Sequence, residues 1–150
     1  MSVTTPTGFA AAGVAAGIKS GDRLDLAVVS NLGPRFAAAG VFTRNRVFAA
    51  PVDWSRRALA DGRLRAVVLN SGGANACTGR SGFEDARLMA EKTAAGLGVA
   101  AGDVAVCSTG LIGVRLPVPE VVSGIEQACS QLSRDGGDDA ATAIMTTDTV

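Results

Sequence analysis

The chain has 150 residues, 14 Lys plus Arg against 14 Asp plus Glu, and neither histidine nor tyrosine. Zero net charge gives no steering toward nucleic acid or an anionic membrane, and the lack of histidine excludes His-based triads, HExxH zinc sites and His-ligated haem from this chain alone. An apolar content of 47% with only 4% aromatics implies an Ala, Val, Leu and Gly interior, in one domain spanning 1–150 that buries about 70% of its unfolded surface.

The start "MSVTTPTGF" lacks the basic region of a signal peptide, and no apolar stretch nears the roughly 20 residues of a membrane span, so a cytoplasmic protein is expected. "GFAAAGVAAGIKSG" (8–21) reads as a glycine-punctuated strand or loop feeding a β-type run, Leu24 to Val29, that stops at Asn31, Gly33 and Pro34. "FAAAGVFTRNRV" (36–47) is a second strand candidate. Asp53 or Ser55 is placed to cap a short helix over "WSRRALADG", and Ala66 to Leu69 form a buried strand breaking at Asn70 and Gly72.

A helix follows, with Ser81 as cap, Glu84 and Asp85 in the first turn and Gly96 and Gly98 at its end. "DVAVCST" (103–109) is another buried strand. Val121, Val122, Ile125, Ala128, Cys129 and Leu132 recur at the spacing of a one-faced helix, which Gly136 and Gly137 stop before Asp138 starts a last short one. Alternating strands and helices give an α/β layered fold. Val150 closes no element and follows a polar "TTDT" run, so the chain is expected to be cut short of a partner segment.

Two strands lead into glycine-rich turns, "VVLNSGGANACTG" (67–79) and "VAVCSTGLIG" (104–113). The carboxyl ends of strands in an open α/β sheet are where ligands bind, and glycine there admits close backbone approach; supplying tight turns alone is the competing role. Neither stretch carries a P-loop lysine or the G-x-G-x-x-G spacing, which disfavours a nucleotide site. Cys77, Cys107 and Cys129 form no CxxC pair; with no activating neighbour they are expected to be buried, unreactive thiols. Ser108, Thr109 and Gly110 likewise have no base beside them, which leaves an oxyanion hole as their chemical alternative: a fixed hydroxyl and a backbone N–H that receive charge developing on an acyl oxygen.

"NSGGANACTG" (70–79), "VCSTGLIG" (106–113) and "AIMTTDT" (143–149), in this order and with "GVFTRN" (40–45) upstream, closely resemble the N-terminal part of the bifunctional glutamate N-acetyltransferase / ornithine acetyltransferase (ArgJ) family of arginine biosynthesis. The resemblance runs from about Gly8 to the last residue. It implies a layered α/β fold like that of N-terminal-nucleophile hydrolases, of the DmpA/ArgJ-like kind, of which this chain is the N-terminal portion. It also implies self-cleavage at an Ala-Thr bond into α and β chains, an α2β2 assembly, and acetyl transfer from N-acetylornithine to glutamate through the new N-terminal threonine of the β chain, whose α-amine serves as its own base.

By motif, the resemblance makes the Thr109 hydroxyl and Gly110 amide the oxyanion hole and Thr146 a substrate-binding position, with Asn70, Gly72, Gly73 and Asn75 as scaffold. No cofactor is implied beyond acetyl-CoA as an alternative acetyl donor. The lysine segment and the Ala-Thr junction of the family lie outside this chain, so the fragment alone is expected to be inactive. The competing readings are a non-catalytic small-molecule or phosphate-binding module, an interaction domain, and a paralogue in secondary metabolism.

Overall fold

A computed structural model describes residues 2–147. Four strands, β1 (Phe9–Val14), β2 (Leu26–Asn31), β3 (Ala66–Gly73) and β4 (Val104–Leu111), form one sheet in the order β1-β2-β3-β4. The first two pairings are antiparallel and the last is parallel. Because side chains alternate across a strand, the register stacks Ala12, Val28, Val68 and Val106 in one row on one face. Ala11, Val29, Val67 and Ala105 form a row on the other.

The first face carries the main core. Met89, Ala90 and Ala94 of α2 (Gly79–Leu97) and Val121, Ile125 and Ala128 of α3 (Val118–Ser130) pack on its valines. On the second face α4 (Gly137–Ala143) sets Ala140 and Ala143 on Ala11 and Ala27, and Ala58 packs on Ala105 at the β4 edge. The approach is at backbone distance: a Cβ on Gly13 of β1 would collide with the Asp139 carbonyl, so nothing larger than glycine fits there. Val29, Val67 and Leu69 stay only half-buried, and this face is largely open.

Both outer edges of the sheet are closed. Ala11 of β1 exchanges two backbone hydrogen bonds with Ser133. At the other edge, α1 (Ala50–Ala58) lies along β4, where the Ser55 hydroxyl accepts from the Val106 N–H (2.9 Å) and donates to the Val106 carbonyl (2.8 Å). The Trp54 indole N–H donates to the Val104 carbonyl at 2.9 Å. Side chains of a helix thus satisfy backbone groups that a fifth strand would otherwise seek.

The layered α/β architecture is as expected, but several local expectations are corrected. Residues 36–47 form no strand; Ala37 makes a single bridge to Arg63 and Val41 is fully exposed. Strands β3 and β4 run on through Gly73 and Leu111, so their glycines close the strands from within. Ser81 does not cap α2, which starts at Gly79, and Glu84 and Asp85 fall beyond its first turn. Gly98 does end it, in left-handed geometry at φ 65°. Neither Asp53 nor Ser55 caps α1: Asp53 pairs with Arg57 inside it and Ser55 is the strand clamp.

Candidate functional site

At the carboxyl ends of β3 and β4 lies a cleft of about 610 Å³ lined by Ile18, Lys19, Arg23, Gly72, Thr109, Gly110, Leu111, Thr146 and Thr147. Three separate parts of the chain meet there: the β1–β2 loop, the two strand ends, and the segment after α4. Thr109, Gly110 and Thr146, which the sequence motifs single out, line this one cleft together.

The strand ends are shaped by glycine. Gly110 sits at φ +130°, opposite Gly72 at φ +107° in the parallel register. A Cβ on Gly110 would stand 2.5 Å from the Gly72 carbonyl carbon and 2.7 Å from the Gly73 nitrogen, so the backbone there adopts a course closed to other residues. Thr109, just before it, is exposed, and its side chain has no hydrogen bond among the described residues. It projects from the open face of the sheet, in register with Ser71.

The β1–β2 loop is organised by one buried carboxylate. Asp25, fully buried, accepts hydrogen bonds from the amides of Ala16 (2.7 Å), Ile18 (2.7 Å) and Lys19 (2.8 Å). Its own carbonyl accepts from the Ser71 amide at 2.8 Å, which ties the loop to β3. The Lys19 ammonium donates to the carbonyls of Leu24 and Met145, and the Ser71 hydroxyl donates to the Ala143 carbonyl. Together Lys19 and Ser71 hold the segment bearing Thr146 over the cleft. Partial burial, and after it the neighbouring Arg23 charge, keep Lys19 below the usual lysine range, against the opposite pull of Asp25.

Within "NSGGANACTG" two asparagines brace the backbone. Asn70 donates to the Gly73 carbonyl at 3.0 Å. Asn75, buried at φ 47°, donates to the Gly82 carbonyl (2.8 Å) and accepts from the Thr78 hydroxyl (2.7 Å), which fastens the turn to the start of α2. The expectation of three buried thiols is corrected: Cys77 and Cys107 are exposed and Cys129 is half-buried. Cys107 falls on the open sheet face, where no helix covers it.

Cys107 nevertheless has enough protein around its sulfur that desolvation pushes its thiol up, as it does at Cys129. A raised pKa means less thiolate at a given pH. Alkylation of Cys107 by iodoacetamide at pH 7.5 is therefore expected to be slower than that of free cysteine, and to approach it only when the pH climbs past the ordinary thiol range. Equal rates at pH 7.5, followed by peptide mass spectrometry, would contradict this.

Lys19, Arg23 and Thr147 are cleft residues that the local pattern does not mark, since 8–21 reads only as a glycine-punctuated strand or loop feeding the next strand. A signal was present: an aspartate just ahead of a run of strand apolars marks a carboxylate available to organise the preceding turn. Among the described residues no group of three Cys, Asp or Glu side chains is arranged to hold a metal ion, and no helix is long and apolar enough to cross a membrane.

A family profile described as the ArgJ family matches residues 10–150. The arginine biosynthesis bifunctional protein ArgJ of Thermobifida fusca is 63% identical over 150 residues, and that of Streptomyces coelicolor 62%; each match covers 100% of this chain and 39% of the relative. The chain thus spans well under half the length of these relatives. Among solved structures, ornithine acetyltransferase from Mycobacterium tuberculosis, complexed with ornithine, superposes with a TM-score of 0.98 at 58% identity, over 99% of this chain and 81% of that one. Arginine biosynthesis bifunctional protein ArgJ from Bacillus halodurans gives a TM-score of 0.91 at 39% identity, over 100% of this chain and 78% of that one.

Proposed function

The chain belongs to the ArgJ family, and from that premise we propose that it is the α-chain part of an ornithine acetyltransferase, forming the charge-stabilising half of an acetyl-transfer site. The observation that carries the reading is the convergence of Thr109, Gly110 and Thr146 on one 610 Å³ cleft. In the proposed reaction a threonine at the start of the β chain attacks the acetyl carbonyl of N-acetylornithine. The carbonyl oxygen takes up negative charge, which the Thr109 hydroxyl and Gly110 amide receive. Collapse breaks the C–N bond, the proton taken from the threonine hydroxyl by its own α-amine passes to the leaving nitrogen, and ornithine departs as its amine, leaving an acetyl ester on the threonine. The free amine of glutamate then attacks that ester, the acyl C–O bond breaks, the proton lost by the amine restores the threonine hydroxyl, and N-acetylglutamate leaves.

Thr146, held over the cleft by its own segment, is assigned to substrate contact. The β chain would share an α2β2 assembly with this one in the cytoplasm, and acetyl-CoA would be an alternative donor. The open sheet face supports a partner layer, since Val29, Val67 and Leu69 gain burial only when something stacks on them.

The test is to express the protein at the length of its relatives and follow two readouts. Mass spectrometry is expected to find two chains joined at a threonine junction, and labelled acetyl is expected to pass from N-acetylornithine to glutamate. An uncut chain that transfers no acetyl overturns the proposal. The 150-residue chain alone is expected to transfer none.

A further inference from the structure

The cleft has a second chemical character that Thr109 and Gly110 do not account for. Of its nine lining residues among those described, two are cationic, Lys19 and Arg23, and none is acidic. Neither cation forms an ion pair with a carboxylate among the described residues. The one carboxylate close by in the loop, Asp25, is buried beneath it with its oxygens engaged by three backbone amides.

The donor count is also informative. An ammonium has three N–H donors, and among the described residues Lys19 directs two of them to the carbonyls of Leu24 and Met145, which fixes the group and leaves one donor over. Arg23 uses its Nε and one Nη on the carbonyl and hydroxyl of Ser20, while a guanidinium carries five N–H groups. Both heads are thus anchored by neutral acceptors and keep donor capacity. The mutual repulsion that contributes to holding Lys19 below its usual range is what a bound anion relieves.

We propose that Lys19 and Arg23 form the carboxylate-recognition wall of this cleft, selecting acyl carriers that bear a free carboxylate and setting the acyl carbon against Thr109 and Gly110. This rests on the acetyl-transfer reading for the identity of the acyl carrier. The wall acts on affinity, since a carboxylate present in ground state and transition state alike is bound equally in both.

The test uses the full-length enzyme, with N-acetyl-L-ornithine and its carboxamide, in acetyl-transfer kinetics and in binding calorimetry. Arg23→Gln is expected to raise KM for the carboxylate substrate about tenfold, with kcat within about twofold of wild type. Arg23→Lys, which keeps the charge, is expected to recover most of that loss. The carboxamide is expected to bind wild type about tenfold more weakly and to be indifferent to Arg23→Gln. Added salt should weaken binding of the carboxylate far more than that of the carboxamide.

An unchanged KM in Arg23→Gln, or equal losses for carboxylate and carboxamide, overturns the wall while leaving acetyl transfer intact. Arg23-dependent binding of the carboxylate by a protein that transfers no acetyl instead overturns the reaction and keeps the wall. Should Arg23→Gln fold poorly, Arg23→Lys and the wild-type salt comparison decide the matter.

Discussion

Replacing Thr109 with alanine in the full-length protein is expected to lower acetyl transfer about 100-fold or more and to leave the thermal melting point where it was. The two halves of that expectation have separate grounds. Thr109 is exposed, with no side-chain hydrogen bond among the described residues, so its loss removes no packing and orphans no buried group. Its hydroxyl meets charge only while the acyl oxygen is anionic, so the loss falls on kcat and kcat/KM together and spares ground-state binding. Thr109→Ser, which restores the hydroxyl, is expected to recover most of the rate. A variant with wild-type kcat and KM removes Thr109 from the mechanism, and a rise confined to KM reassigns it to substrate binding.

Asp25→Ala is expected to be the most damaging single change to the fold around the cleft. It strips the acceptor from the amides of Ala16, Ile18 and Lys19, each held at short, charge-assisted distance. Orphaned donors cost about 1–3 kcal/mol apiece, so with one of the three amides finding water a total of roughly 2–6 kcal/mol is expected. That corresponds to a fall in melting point on the order of 10 °C. The loop would also release Lys19 and Arg23 from the cleft, so substrate affinity is expected to fall with stability. Asn retains a single acceptor oxygen, which places Asp25→Asn between alanine and wild type. A melting point within a degree of wild type for Asp25→Ala would show that the loop holds by other means.

Several elements were legible because their cause is local. The valine run of β3, the i, i+3/i+4 spacing of α3 and the left-handed Gly98 are each decided within a few residues, and each is found. Thr109, Gly110 and Thr146 were legible through the words around them; their meeting in one cleft depends on Ser71 reaching the Ala143 carbonyl, which no local pattern announces. The failed strand at 36–47 has a global reason. Its small and β-branched residues suit a strand, but β2 has neighbours on both sides and the outer edges are occupied by Ser133 and by Ser55, so no place in the sheet remained. The exposure of Cys107 has a related reason: alternation puts it on a defined face, but only the packing of α2 and α3 makes the opposite face the fully covered one. Lys19 and Arg23 escaped notice because their significance comes from Asp25, a residue that reads as ordinary loop polarity until its three amides are seen.

The bond from Lys19 to the Met145 carbonyl joins residues 126 positions apart, and the one from Ser71 to the Ala143 carbonyl spans 72. Closing such long loops is entropically costly and comes late unless earlier structure brings the ends together. The sheet supplies that structure: once β1 to β4 are paired, the Lys19 loop and the β3 end already stand side by side, waiting for the chain that follows α4. During synthesis, therefore, the sheet can form while the ribosome still holds residues 140–150, but the cleft cannot. Its third wall arrives last, so Thr146 joins Thr109 and Gly110 only after the sheet that positions them is paired.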